Sequence, residues 1–167
     1  MKNVILGLLV SLVFLGCNSK EVNPKDLEPK LVVSQSVEAF SLNDQHEKAH
    51  SISGDTKTLV FAFSKDIGHI CNDFFATKAD TYLEDNKAMF VADVSGAPSV
   101  IRSMFIMPGL KEFKHTVLVI DDKNVATGYK SGHDPEKIMI VNLDNKIITS
   151  INSVNTVEEL ASALETK

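Results

Sequence analysis

LVFAFSKDIGHICNDFF, residues Leu59 to Phe75, contains the change of period that decides the fold. From Thr58 to Ser64 the chain is apolar without alternation, which predicts a central strand covered on both faces. From Ile67 the spacing becomes helical. Ile67, Ile70, Cys71, Phe74, Phe75 and Tyr82 follow i, i+3, i+4, i+7, i+8 closely enough to predict one face of a helix ending near Leu83, before the turn formers Asp85 and Asn86. The junction sets a single thiol, Cys71, near a helix start.

Outward from this stretch, strands and helices alternate at first. Ala88 to Val94 predicts a second buried strand. Pro98 suits the first turn of a helix, with Val100, Ile101, Met104 and Phe105 as its inner face and Pro108-Gly109 as its end. Thr116 to Ile120 predicts a third strand, closed by Asp121-Asp122-Lys123-Asn124 and returned by Val125 to Tyr129 as a hairpin partner. Ile138 to Leu143 and Ile147 to Ile151 flank Asp144-Asn145, a further hairpin signal. Thr156-Val157-Glu158-Glu159 reads as a capping box opening a helix whose Leu160, Ala163 and Leu164 face the sheet. Upstream, Phe40, Leu42, His50 and Ile52 alternate around the polar Asn43 to Lys48, predicting an opening hairpin. Leu31 to Val33 is expected to add a short edge strand. The order implies an α/β fold, a mixed sheet with helices on both faces, an N-terminal hairpin and a C-terminal helix.

Composition narrows the function classes. The 167 residues, 44% hydrophobic and 23% charged, suit one domain with an ordinary core. Net charge is −5 and the cations are scattered, so no basic footprint for nucleic acid exists. Neither a phosphate-cradling glycine loop nor a cysteine-rich metal pattern appears, and no cofactor or resident metal is expected.

The amino terminus is set apart. Lys2 precedes an apolar run from Val4 to Leu15 that ends in Gly16-Cys17. A positive start, an apolar core of about 7–15 residues and a small residue at the cut describe an export signal. It falls short of the roughly 20 apolar residues of a spanning helix. Phe14-Leu15-Gly16-Cys17 resembles the bacterial lipobox, matching it at Gly16 and Cys17. That resemblance implies a signal peptide over 1–16 and a lipid such as palmitate on Cys17; the polar, proline-bearing stretch that follows predicts a tether over 17–36 ahead of a domain over 37–167. The lipobox resemblance also implies a membrane partner, reached through the lipid, and a place in the bacterial cell envelope facing the periplasm or the exterior. The other reading is a plain secretory signal with Cys17 near the cut. Removal of residues 1–16 takes away one Lys and no acid, moving the net charge from −5 to −6. With Cys17 acylated, Cys71 is the one remaining thiol and no internal disulfide forms.

Residues 37–165 resemble the thioredoxin-like superfamily, especially its peroxiredoxin and membrane-tethered thiol–disulfide oxidoreductase branches. Phe40-Ser41-Leu42-Asn43-Asp44-Gln45 is similar to the opening hairpin, Leu59 to Ser64 to the first core strand, and Val117 to Asp121 to the strand ending in Ile-Asp. In the oxidoreductase register, Ile67-Gly68-His69-Ile70 stands where the family has Cys-Gly-Pro-Cys, so both sulfurs are missing. In the peroxiredoxin register, Cys71 falls on the peroxidatic cysteine, while the motif's Pro and Thr are Ser64 and Gly68. The family's cis-proline position corresponds to His115. A cis bond before a non-proline costs about 3–4 kcal/mol, so Lys114–His115 is expected to be trans.

Two functions follow from these readings. The first is a membrane-anchored lipoprotein whose redox-inactive domain binds or assembles an unidentified envelope protein through a groove formed by Ile67, Gly68, His69, Ile70 and His115. The second is a one-cysteine thiol peroxidase or reductase with Cys71 as the catalytic nucleophile and His115 or Lys65 as its charge partner. Helix-start placement lowers a thiol's pKa and an apolar face raises it, so Cys71 is open to both. A weaker third reading is copper handling by His69, Cys71 and His115, with Met104 and Met107 nearby. His46, His50 and His133 are expected on solvated turns or strands.

Overall fold

The computed structural model describes residues 28–165. The signal segment, Cys17 and the tether up to residue 27 lie outside them. Seven strands form one mixed sheet: β1 (Ser41–Asp44), β2 (Ala49–Ser51), β3 (Thr58–Ala62), β4 (Ala88–Asp93), β5 (Val117–Ile120), β6 (Ile138–Asp144) and β7 (Ile147–Val154). Their order is β2-β1-β5-β4-β3-β6-β7. The central β5, β4 and β3 run parallel, and antiparallel pairs extend the sheet on both sides. The opening hairpin, mixed sheet and terminal helix are the thioredoxin-like arrangement expected from the sequence.

Every residue of β3 is buried. Leu59, Phe61 and Phe63 join one core, and Val60 and Ala62 join the other. The first is closed by α5 (Lys123–Lys130), through Ala126 and Tyr129, and by Leu31, Val37 and Phe40. The second is closed by α1 (Lys65–Ala76), α2 (Tyr82–Asp85) and α6 (Val157–Glu165), through Ile67, Cys71, Phe75, Leu83, Leu160 and Leu164. Two layers of helix are therefore obligatory, because a strand without a polar face leaves neither side for water.

Several sequence expectations give way. The helix predicted from Ile67 to Leu83 is two helices: the Thr77 hydroxyl and amide both bond Phe74 O and end α1, so Leu83 approaches the core from a new axis. Val125 to Tyr129 is helix α5, not a hairpin strand. Asp122 is its cap, accepting the amides of Asn124 at 2.7 Å and Val125 at 3.1 Å. An Asp before a run with apolar residues at 125, 126 and 129 fits a helix cap as well as a turn, and packing decides. Leu31 to Val33 forms no strand, although Leu31 is buried. Residues 30–36, assigned to the tether, lie along the domain, with Lys30 N bonded to Gly128 O and Ser36 bridged to Ile147.

The segment after Pro98 departs furthest. It is helical through residue 111: α3 (Ser99–Ile101), a π-helical stretch (Arg102–Ile106) and α4 (Met107–Lys111). Met107 N reaches back to Arg102 O, one residue beyond the α-helical partner. Pro108, expected to end the helix, sits in the first turn of α4, where a missing N–H is tolerated. The widened turn rotates the faces. Val100, Ile101, Met104 and Phe105, expected to point inward, are exposed, and Leu110 is the buried residue.

Hairpin β6–β7 closes through Asn145 and Lys146, both with left-handed φ values of 44° and 66°. In the amino-terminal hairpin, His50 Nε2 lies 2.8 Å from Asp44 Oδ2. α6 begins as expected, with Glu159 N donating to Thr156 Oγ1, though the Glu159 carboxylate takes the Asn155 amide and not that of Thr156.

The cap at Asp122 distinguishes helix from hairpin in solution. Asp122→Ala is expected to lower stability by about 1 kcal/mol in urea denaturation. An unchanged midpoint would contradict a capped α5.

Candidate functional site

β3 and β4 are parallel neighbours, so their carboxyl ends, Ala62-Phe63 and Ala92-Asp93, open side by side. In open α/β sheets that edge is where ligands bind. A cavity of about 730 Å³ lies there. Ala62 and Ala92 line its strand side, and Lys65, Gly68, His69 and Asn72 of α1 line a second side. The segment 99–113 supplies an apolar wall of Ile101, Phe105, Ile106, Leu110 and Phe113. A smaller cleft of about 360 Å³ between the β6–β7 hairpin and α6 shares no lining residue with it.

Helical geometry sorts the residues of α1. Ile67, Cys71 and Phe75 repeat at four-residue intervals and face the sheet. Gly68, His69 and Asn72 turn to the cavity. Of the residues expected to form the groove, Gly68 and His69 line it. Ile67 is in the core, Ile70 is exposed away from the cavity, and His115 is buried beneath.

Cys71 is 0% exposed, and burial pushes its thiol up to about 12. The α1 start, capped by Ser64 Oγ accepting Ile67 N at 3.4 Å, does not offset that burial. At neutral pH this thiol is protonated and out of reach of solvent.

His115 is 4% exposed, at the centre of a polar chain inside an aromatic shell. Phe113, Phe75 and Phe90 surround its ring at centroid distances of 5.1, 5.5 and 6.3 Å. Burial lowers its pKa to about 4, so the ring is neutral at pH 7. Its Nε2 lies 3.0 Å from Asn72 Oδ1, an acceptor, which assigns the proton to Nε2. Asn72 Nδ2 in turn donates to Gly68 O at 2.9 Å. The His115 carbonyl accepts from Gln45 Nε2, whose Oε1 accepts Val117 N, both at 2.9 Å. The chain thus ties the cavity face of α1 to β5 and the opening hairpin. The Lys114–His115 bond is trans.

At the end of β4, beside Phe63, the Asp93 side chain is 3% exposed. Its Oδ1 accepts Ser95 N at 2.8 Å, and Oδ2 lies 3.6 Å from Lys130 Nζ. Asn72, Asp93, Lys130 and the aromatic wall did not stand out in the sequence. Asn72, four residues after Gly68, is the one a helical projection could have found. His69, Cys71 and His115 do not converge as a metal site: among the described residues no three His, Cys, Asp or Glu side chains form one. His69 is exposed while the other two are buried on the core side.

No family model and no curated protein matches the chain. Solved structures similar to it include a candidate disulfide isomerase from Bacteroides thetaiotaomicron, at 15% identity and TM-score 0.49, over 84% of this chain and 90% of that one. A peroxidoxin from Mycobacterium tuberculosis is 14% identical, at TM-score 0.47, over 84% of this chain and 97% of its own. A secreted disulfide oxidoreductase from the same organism is 16% identical, at TM-score 0.48, over 77% and 96%.

His115 makes stability depend on pH. The unfolded histidine titrates near 6.5 and the folded one near 4, so stability is full above pH 6.5 and is lost as pH falls toward 4. The loss is about 3 kcal/mol across that window. Urea denaturation at pH 7 and pH 4.5 should show this fall and a shallower one in His115→Gln. Equal falls in both proteins would overturn the assignment.

Proposed function

We infer that the protein is a redox-inactive binding module, held on a bacterial envelope membrane by a lipid on Cys17 and taking its ligand in the cavity at the carboxyl ends of β3 and β4. One observation carries the reading. The sole thiol of the described residues, Cys71, is sealed in the core with its pKa at about 12, while an open apolar cavity stands beside it. Thiol chemistry needs a thiolate at the surface, and a binding site needs a lined concavity. The competing peroxidase reading requires peroxide to reach Cys71 Sγ through Ile67, Phe75 and the sheet.

Alkylation separates the two. At pH 8 a thiol of pKa 12 is ionised about a thousandfold less than a free cysteine. Native protein should therefore resist iodoacetamide at Cys71 and react on denaturation. Alkylation of native Cys71 at the rate of a free thiol, or peroxide consumption abolished by Cys71→Ser, would overturn the reading. Metabolic labelling with an alkyne analogue of palmitate should mark the protein and be lost in Cys17→Ser. Labelling that survives the substitution would move the anchor elsewhere.

A further inference from the structure

Deepening that reading, we propose that the cavity takes a single-tailed amphiphile with an anionic head, its apolar chain against the 99–113 wall and its head at the amino-terminal end of α1.

Size and lining point to a small molecule. A volume of about 730 Å³ falls within the roughly 300–1,000 Å³ of small-molecule sites. Three phenylalanines, Phe63, Phe105 and Phe113, line it together with Ile101, Ile106 and Leu110. That body matches a hydrocarbon tail and offers few partners to a polar one.

Charge selects the head. Asp93 is the one acidic side chain on the lining, and it is already occupied by the Ser95 amide and Lys130. That pair is neutral as a unit. Lys65 also lines the cavity and makes no ion pair among the described residues. It stands in the first turn of α1, a helix of 12 residues whose flank of Lys65, Gly68, His69 and Asn72 lines the cavity. The cation and the helix dipole act in the same sense, favouring an anion. An ammonium head would meet repulsion from both.

The glycines provide a way to fill the site without disturbing the core. A Cβ added at Gly68, on α1, or at Gly109, on the facing wall, meets nothing within 4 Å. Both residues line the cavity.

The test uses the chain carrying Cys17→Ser, so that no acyl group of its own competes. Dodecanoate, dodecyl phosphate, dodecanol and dodecylammonium are titrated calorimetrically below their micelle concentrations. The anions should bind about tenfold more tightly than the alcohol, the equivalent of one good charge contact of about 1.4 kcal/mol. Dodecylammonium should bind most weakly. Lys65→Ala should bring dodecanoate down to the level of dodecanol, and Gly68→Phe and Gly109→Phe, checked by circular dichroism, should each abolish binding. Either glycine variant suffices if the other does not fold. Absence of dodecanoate binding, an order of affinity that favours the ammonium, or binding that survives the filled cavity overturns the proposal. These outcomes leave the redox-inactive reading standing, which only a reactive Cys71 removes.

Discussion

Burial of β3 on both faces is the constraint from which the rest of the structure follows. Five consecutive side chains without access to water require a layer on each side, and the chain supplies α1, α2 and α6 on one and α5 with the amino-terminal residues on the other. Backbone groups at the strand's edges need partners as well, which β4 provides in parallel and β6 in antiparallel register. The parallel pairing brings two carboxyl ends together and creates an opening. The opening is thus a by-product of how the core is closed.

The strands were legible because their signal is intrinsic. Runs such as Leu59–Phe63 and Val117–Ile120 have no polar face to offer any other arrangement, and the hairpin at Asp144-Asn145 announces itself through residues that tolerate left-handed backbone. The helices were legible only where periodicity was unbroken. Val125 to Tyr129 is short enough for both periods to fit, and its identity depends on Leu31 and Phe40, which share its core across about ninety residues of sequence separation. The π-helical stretch was illegible in principle, since one extra residue in a turn displaces the apolar face and no residue type encodes it.

The site was legible in part. Gly68 and His69 were placed by their position in the turn, and the thiol's apolar surroundings by its spacing from Ile67 and Phe75. Asn72 and His115, by contrast, lie 43 positions apart and become partners only through the crossing of α1 over the sheet. The buried imidazole sits among three phenylalanines with its Nε2 held by Asn72, while the His115 carbonyl accepts from Gln45. The same low-polarity surroundings that keep His115 neutral keep Cys71 protonated, so a single physical cause governs both.

The helical wall at 99–113 is built unlike the rest of the molecule. One of its turns is π-helical, and Met104 and Phe105 are 62% and 65% exposed. Segments with little buried apolar surface open at lower free energy than fully buried strands such as those of the sheet. Opening of this wall alone would uncover the cavity with the seven strands intact. For the proposed amphiphile, residence time would then be set by one short segment, independently of how stable the fold as a whole becomes.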